Sequence, residues 1–367
     1  MVTTFAGLRV GLVGPLPPPA GGMANQTQQL AELLRSAGAE VELVQTNAPY
    51  RPAWIGRVPM LRALFRLLPY GRNLWRVAGR SKLFHVMANS GWSWHLFAMP
   101  AIRIAAWRRV PVIVNYRGGE AASFLARSHA SVRRTLARGV TRLVVPSGFL
   151  QAVFAKYDIE AQVVPNIVDL ERFRPAAPGR RSRGGHLVVL RNLEPIYDNA
   201  SAVQALAALR RAHPEAHLTI AGTGPEAPAL RALVAKLGLE SSVKLVGRLD
   251  RDEAAAIYRE ADVALNPSTV DNMPNSVLEA LASGVPVVST DVGGVPYMVE
   301  DGITALLVPP RDPAAMAAAV ERLLDDPKLA SRLASAGVDE AQRYSWDRVS
   351  VGLAGQYDRA LGSIARR

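Results

Sequence analysis

"STVDNMPNSVLEALASGVPVVSTDVGG", Ser268 to Gly294, is the stretch whose reading decides the fold. It holds two acids eight positions apart, Asp271 and Glu279, followed by a short apolar run and a Gly-Gly turn. "DVALNPS" before it reads as a strand ending near Ser268, which puts Asp271 in a loop at a strand's carboxyl end. "NSVLEALASG" reads as a helix, with Asn275 or Ser276 as N-cap and Gly284 beyond its last turn. The first amide groups of such a helix lack intrahelical partners, so its N-terminus suits a phosphate or diphosphate. Glu279 stands one turn in, and a carboxylate is a fitting acceptor for a vicinal diol. Two acids flanking an anion site point to a ligand with hydroxyls on both sides of a diphosphate, as in a nucleotide sugar. The plainer reading makes Asp271 a turn cap and Glu279 a solvated helix residue. The pair alone does not decide between them.

The surrounding chain supplies the context. "LRVGLVG", from Leu8, reads as a buried strand, and "PLPPPAGGMANQT" as the loop after it. "QTQQLAELLRSAGAE" has Leu30, Leu33, Leu34 and Ala37 at helical spacing, Gly38 stops it, and "VELVQT" is the next strand. This β-loop-α-β unit implies a parallel sheet. "LFHVMA", "VPVIVNY" and "RLVVPS" extend it, and "QVVPNIVDLERFRP" reads as a strand and an irregular crossover. "AAPGRRSRGG" reads as part of a domain boundary. The pattern then restarts with "HLVVLRN", "HLTIAGTG", "SVKLVGR", "DVALNPS" and "VPVVST". "SWDRVSVGLAGQYDRALGSIARR" reads as an amphipathic helix. The expected fold is α/β, with two Rossmann-like domains facing a cleft into which strand carboxyl ends point. The expected domains are 1–172, completed by a C-terminal helix over about 345–367, and 173–344.

Composition agrees. A chain of 367 residues exceeds one growing core, so two domains are the default. It holds no cysteine, which excludes disulfides and thiolate metal sites. The N-terminal "MVTTFAGLRVGLVG" does not read as a signal peptide, and no run of about 18 apolar residues reads as a spanning helix. The formal charge of +12 is unevenly placed: Arg51 to Arg142 holds sixteen Arg and one Lys against one acid, Glu120. That block implies an anionic partner such as phospholipid, nucleic acid or a phosphorylated substrate, or simply arginine on solvated faces.

Asp271, Glu279, "LEALASGVPVVST", "GGVPY" and "VEDGITALLVPPRDPAAMAAAV" resemble the signature of the retaining glycosyltransferases of family 4, which have the GT-B fold. "AGGMANQTQQLAELLRSAGAEV" resembles that family's Gly-Gly loop and first helix. The resemblance covers nearly the whole chain and is strongest from Arg191 to Pro310. It implies that Glu279 binds the ribose diol and Asp271 binds hydroxyls of the transferred sugar. Asn272, Asn275, Ser276 and Val277 would hold the diphosphate with Arg191, whose fork pairs phosphate bidentately. Gly222, Gly224 and Arg248 would lie near the nucleobase, and Gly21 and Gly22 in the loop facing the donor. Asn89, His95, Asn115 and Arg117 are the acceptor-side candidates, and Asp271, Arg191 and Arg117 the expected catalytic set. The implied reaction is transfer from a nucleotide sugar, a UDP-sugar in the first place, with retention and without metal or cofactor. The acceptor would be a glycan or a polyprenyl-diphosphate-linked saccharide in bacterial polysaccharide or cell-envelope synthesis. The expected location is the cytoplasm, peripheral at the inner face of the plasma membrane.

The chain departs from the family pattern at five places. The first acid is Asp271, one methylene shorter than the usual Glu. The lysine after the arginine is missing, and Tyr197 and Asp198 stand near its place. Pro274-Asn275 replaces Gly-Leu, so one amide donor is lost. Tyr297 replaces the acid of the "GGxPE" turn. Arg117, in "NYRGGEA", stands where the first-domain "HG" histidine is expected. His85 and His95 fall in an apolar segment and read as satisfied histidines rather than bases.

Rival readings are weaker. A nicotinamide dehydrogenase needs G-x-G-x-x-G after the first strand and an acid ending the second, and neither is here. A non-catalytic nucleotide-sugar-binding protein of the same fold is the alternative that the departures favour. No nucleic-acid module is recognisable, so nucleic acid is not expected as a partner. "WIGRVPMLRALFRLLPYGRNLWRVAGRSK" interleaves Arg62, Arg66, Arg72, Arg76 and Arg80 with Trp54, Ile55, Phe65, Leu68 and Trp75. Pro59 and Pro69 are expected to divide it into short pieces. Its pattern is that of an interfacial helix on an anionic membrane, or of an ordinary helix packed on the first domain.

Overall fold

The computed structural model describes residues 5–18, 21–49, 59–139, 141–177 and 184–363, with the side chains of 59–64 left out. Trp54 and Ile55 of the basic segment, and 178–183 of the expected boundary, lie outside the described residues. The chain forms two compact units, Met1–Pro165 with Val349–Arg367, and Asn166–Arg348.

The first unit contains β1 (Arg9–Gly14), α1 (Gly22–Ser36), β2 (Glu40–Gln45), α2 (Pro59–Ala78), β3 (Leu83–Ala88) and a π-helical turn at Trp94–Ala98. It continues through α3 (Met99–Trp107), β4 (Val112–Tyr116), α4 (Ala121–Leu136), β5 (Thr141–Val145), α5 (Gly148–Ala155) and β6 (Gln162–Val163). Its sheet is parallel, in the order β2-β1-β3-β4-β5-β6. β3 and β4 are buried along their whole length, as expected of central parallel strands covered on both faces.

The second unit contains β7 (His186–Leu190), α6 (Asn199–Leu209), β8 (His217–Ala221), α7 (Ala227–Lys236), β9 (Val243–Gly247), α8 (Arg251–Glu260) and β10 (Val263–Asn266). α9 (Asn275–Ala282), β11 (Val287–Thr290), β12 (Leu306–Val308), α10 (Pro313–Asp325) and α11 (Pro327–Ala341) follow. α12 (Trp346–Gly362) belongs to the first unit from Val349 onward. The second sheet is also parallel, in the order β12-β11-β10-β7-β8-β9. Side chains alternate between two cores. Leu187, Val189, Val263 and Leu265 join one cluster, while Val188 and Ala264 join the other.

Both sheets change direction of strand addition once. In the first the reversal lies between β1 and β3, and in the second between β7 and β10. Open α/β sheets bind ligands outside the strand carboxyl ends at such a point.

Three expectations need correction. The segment Gly22–Thr27 is helix rather than loop, because extended Gly21 opens α1 and accepts from the Asn25 amide at 2.9 Å. Buried Thr27 then joins Leu30, Ala31 and Leu34 on the core face. Pro69 does not divide the basic segment, since α2 is continuous with Pro69 inside it; Pro59 is the first residue of α2, and what precedes it lies outside the described residues. Beyond that proline Tyr70, Leu74 and Val77 are buried, and the Tyr70 hydroxyl donates to the Phe97 carbonyl at 2.8 Å. Packing outweighs the one amide that Pro69 lacks. Finally, α9 is capped by Pro274, not by Asn275 or Ser276. Its carbonyl accepts from the Val277 and Leu278 amides at 3.2 and 3.3 Å. β12 was not foreseen, because its three residues are too few to show a period.

Candidate active site

In the second unit the reversal point holds an ion pair. Arg191 directly follows β7, and Asp271 lies in the loop after β10. Arg191 Nη2 donates to Asp271 Oδ2 at 2.5 Å, and each side chain is only 10 % exposed. Arg191 Nη1 lies 3.4 Å from Ser276 Oγ, in the first turn of α9. The guanidinium carbon sits 3.9 Å above the Tyr197 ring. Arg191 Nε is buried and has no hydrogen-bond partner among the described residues. A buried guanidinium edge in that state is costly unless something accepts from it.

Asp271 is fixed on three sides. Its Oδ1 accepts from the Asn272 amide at 3.0 Å, and its carbonyl accepts from the Gly294 amide at 2.9 Å. The Gly-Gly turn is thereby tied to the acid loop. Burial raises the Asp271 carboxyl above the usual carboxylate range, opposed chiefly by Arg191. Glu279 lies deep in the surrounding protein while keeping part of its surface open, and burial pushes its carboxyl up to about 7 against Arg251 and Arg191. α9 carries no acid in its first turn and no side-chain cap. It ends as expected, with left-handed Gly284 donating to the Leu281 carbonyl and Val285 to that of Ala280, both at 2.9 Å.

Two anchors of this loop were not singled out in the sequence. Asn166 Nδ2 donates to the Met273 carbonyl at 2.9 Å and to Asn275 Oδ1 at 2.8 Å. Tyr258 of α8 donates its hydroxyl to the Ser276 carbonyl at 2.9 Å. Only a rigid three-dimensional neighbourhood reveals them; the "PN" after β6 was the one local hint for Asn166.

Gly222 and Gly224 sit where two loops cross. A Cβ on Gly222 would stand 2.0 Å from the Arg191 carbonyl oxygen, and one on Gly224 would stand 2.2 Å from that of Leu193. The close approach of the β7 and β8 loops accounts for both glycines. Arg248 is exposed and reaches Thr223 Oγ1 at 3.3 Å.

In the first unit a chain of polar groups crosses the sheet centre. Arg117 Nη1 donates to Gln26 Oε1 of α1, and Arg117 Nε donates to Asn115 Oδ1 at 3.0 Å. Asn115 Nδ2 faces His85 Nε2 at 3.1 Å, and His85 Nδ1 faces the Tyr357 hydroxyl at 2.9 Å. Burial pulls the Arg117 guanidinium down to about 9, so it stays charged at neutral pH. Burial, with Arg117 adding, holds the His85 imidazole near 3 and therefore neutral. Asn89 follows β3, and a Cβ on Gly118 would meet its Oδ1 at 2.7 Å and Ser90 Oγ closer still. Among the described residues, nothing lies within 4 Å of where a Cβ on Gly21 or Gly22 would be. Of the acceptor-side candidates, Asn115 and Arg117 are directly bonded, while His95 packs between the rings of Trp92 and Phe124.

In the first unit, α2 buries one face and exposes another. Phe65, Leu68 and Trp75 are 47, 59 and 47 % exposed, and Arg72 and Arg76 stand exposed among them. A cavity of about 1140 Å³ between β2 and α2 is lined by Leu43, Phe65 and Leu68 together with Arg66, Arg72 and Arg76. Among the described residues no helix is long and apolar enough to cross a membrane. His213, Glu321 and Asp325, after α6 and on α10, are the one group of potential metal ligands among the described residues, and none of them belongs to the Arg191–Asp271 cluster.

Two sequence-family models match the chain. The one described as Glycosyltransferase Family 4 covers residues 20–172, and the one described as Glycosyl transferases group 1 covers residues 186–326. A glycogen synthase of Mycobacterium tuberculosis (strain CDC 1551 / Oshkosh) is 32% identical over 274 residues, 71% of this chain and 66% of that protein. A D-inositol 3-phosphate glycosyltransferase of Frankia alni is 34% identical over 247 residues, 62% of this chain and 61% of that protein. The matches thus span just under two thirds of the length of these two relatives. Among solved structures, sucrose-phosphate synthase from Thermosynechococcus elongatus superposes with a TM-score of 0.74 at 19% identity, covering 97% of this chain and 100% of that one. Anabaena HepE in complex with UDP superposes with a TM-score of 0.72 at 16% identity, covering 96% and 100%. At these identities the likeness is one of fold, the two-unit α/β GT-B architecture.

Proposed function

Since this chain belongs to the family 4 glycosyltransferases, we propose that it transfers a sugar from a nucleotide-sugar donor, in the first place a UDP-sugar, with retention at the anomeric carbon. The observation that carries the proposal is the buried Arg191–Asp271 pair at the reversal of the second sheet, beside the N-terminal end of α9, which has no side-chain cap. Arg191 and the first amides of α9 meet the diphosphate, Glu279 the ribose diol, and Asp271 the sugar hydroxyls. HepE, a protein of the same fold, has been solved with UDP and glucose, which supports that ligand class.

In the proposed reaction an acceptor hydroxyl attacks the anomeric carbon and the bond to the diphosphate oxygen breaks. The departing phosphate takes the acceptor proton. Charge growing on the leaving diphosphate is stabilised by Arg191 and the α9 amides, groups already oriented before the reaction. His85 is not a candidate base, because it is buried, neutral and engaged at both ring nitrogens. Arg117, charged at neutral pH, is the first-unit group proposed to act on the donor or acceptor. The reaction is proposed to need no metal ion or cofactor.

The proposed acceptor is a glycan or lipid-linked saccharide of bacterial polysaccharide or envelope synthesis, reached at the cytoplasmic membrane face. The exposed arginines and aromatic residues of α2 support contact with anionic lipid. A thermal-shift screen over UDP-, GDP- and ADP-sugars tests the donor, since a ligand at about 100 times its Kd adds about 2.7 kcal/mol of stability. Transfer and hydrolysis assays of the best donor follow. Donor binding without either activity would support a binding protein instead.

A further inference from the structure

Arg191 has partners of its own within the protein, and its engagements differ in kind. Asp271 holds Nη2 at 2.5 Å, Tyr197 covers one face at 3.9 Å, and Nε is left over. The stack constrains the plane of the guanidinium but uses none of its donors. The carboxylate uses a donor and cancels the charge. Tyr197 and Asp198 follow Arg191 with no lysine beside them, so no second cation from that segment offsets Asp271. A diphosphate approaching this site meets a pair whose charges sum to zero, and must compete with Asp271 for the fork.

Releasing Asp271 has its own cost. The carboxylate is 10 % exposed, and a buried charge stripped of its partner is strongly unfavourable. Of its bonded neighbours only the Asn272 amide and the Ser268 hydroxyl would remain. Sugar hydroxyls are donors of the right kind to replace the guanidinium.

We propose that donor binding exchanges partners at this pair: the diphosphate takes Arg191, the sugar hydroxyls take Asp271, and Tyr197 keeps the guanidinium in place during the exchange. The site then holds the intact donor in preference to the nucleoside diphosphate, which takes Arg191 but gives Asp271 nothing. Transfer of the sugar removes the groups that bonded Asp271, and the carboxylate returns to Arg191 and helps expel the product. Asp271 is a specificity residue in this scheme, and Tyr197 a positioning residue. The inference rests on the proposed donor reading.

The test is calorimetric titration of the full chain with UDP, GDP and ADP and with their sugar derivatives. Asp271→Asn should bind the bare diphosphate about tenfold more tightly than the parent, or about 1.4 kcal/mol, and lose the preference for donor over product. Tyr197→Phe, which keeps the stack, should bind both ligands as the parent does. Tyr197→Ala should weaken both together. A folded Asp271→Asn that binds the bare diphosphate no better than the parent overturns the exchange alone. Parent-like affinity in Tyr197→Ala removes the positioning role. If the parent binds neither the nucleoside diphosphates nor the sugar derivatives of the panel, the donor reading itself falls and the exchange falls with it.

Discussion

His85 Nδ1 lies 2.9 Å from the Tyr357 hydroxyl, a contact between β3 and a helix 272 residues later in the chain. The bond directions along this row are fixed from one end. Arg117 can only donate, so Asn115 must turn its oxygen toward Arg117 and its amide nitrogen toward His85. His85 Nε2 must then accept, which leaves Nδ1 carrying the proton and donating to Tyr357. The row is satisfied only while His85 is neutral.

Acid stability should therefore depend on His85. Its folded value near 3 lies below the unfolded value of about 6.5. The unfolded chain binds the extra proton between those limits. The contribution is complete above about pH 6.5 and is lost as pH falls toward 3, by up to about 1.4 kcal/mol per unit. His85→Gln keeps a donor and an acceptor without the charge. Its denaturation curves should change less between about pH 6.5 and pH 4 than those of the parent; equal slopes would contradict the account.

Glu279 predicts a pH trend of the same sign for binding, set at a higher pH. Its carboxyl titrates near 7, and a ribose diol donates to the ionised form. Nucleotide affinity should rise from about pH 6 to about pH 8, with proton release on binding, and should be flat in Glu279→Gln. Glu279→Ala should weaken the nucleotide by about 1.5–3 kcal/mol, the range for bonds to charged groups. Calorimetry in buffers of different ionisation heat measures both effects.

Arg191→Lys should not be conservative. A planar fork stacked on Tyr197 becomes a point charge with neither property. Turnover is expected to fall at least about tenfold, or about 1.4 kcal/mol. Activity within about twofold of the parent would place the diphosphate elsewhere.

Two glycine substitutions should separate packing from ligand space. Gly222→Ala drives a methyl into the Arg191 carbonyl and should cost at least about 1–3 kcal/mol of stability, displacing Arg191 as well. Gly21→Ala meets none of the described residues within 4 Å and should leave stability within about 0.5 kcal/mol. If the loop before α1 faces the donor, that same variant should still bind the donor less well. Melting curves with and without nucleotide read both outcomes.

The exposed face of α2 should bind anionic vesicles in a salt-sensitive manner, because each arginine near such a surface contributes roughly 1 kcal/mol, screened within about 8–10 Å. Converting Arg62, Arg66, Arg72 and Arg76 to Gln should release the protein while nucleotide affinity is kept; the Arg62 side chain lies outside the described residues. Flotation at low and high salt measures this. A parent that stays unbound at low salt means the arginines are only solvated.

The sequence made the strands legible because parallel strands are continuous apolar runs between turn residues, as in "LFHVMA" and "VPVVST". The neighbourhood of Asp271 was legible because strand, loop and helix follow one another locally, although the cap of that helix was not. Pairings across the sheet were not. Nothing local to Arg191 says that its partner is Asp271, 80 residues on, rather than a ligand. The stack of Tyr197, the anchoring by Asn166 and the row from Arg117 to Tyr357 are likewise products of tertiary proximity. Helix limits failed where packing outweighed local preference, as at Pro69 and Gly22.

The first unit is discontinuous, and this orders events on the ribosome. β1 to β6 are synthesised first, yet Tyr357 emerges only after the entire second unit. Until then the buried imidazole of His85 faces a surface that α12 has not covered. The second unit, contiguous from Asn166 to Arg348, can complete its own core while the first is still waiting. A nascent chain halted before α12 would hold the Arg191–Asp271 pair finished and the Arg117 row open at its far end. Among the described residues, α12 is thus the last element to be made, and through Tyr357 it closes a network begun by some of the first.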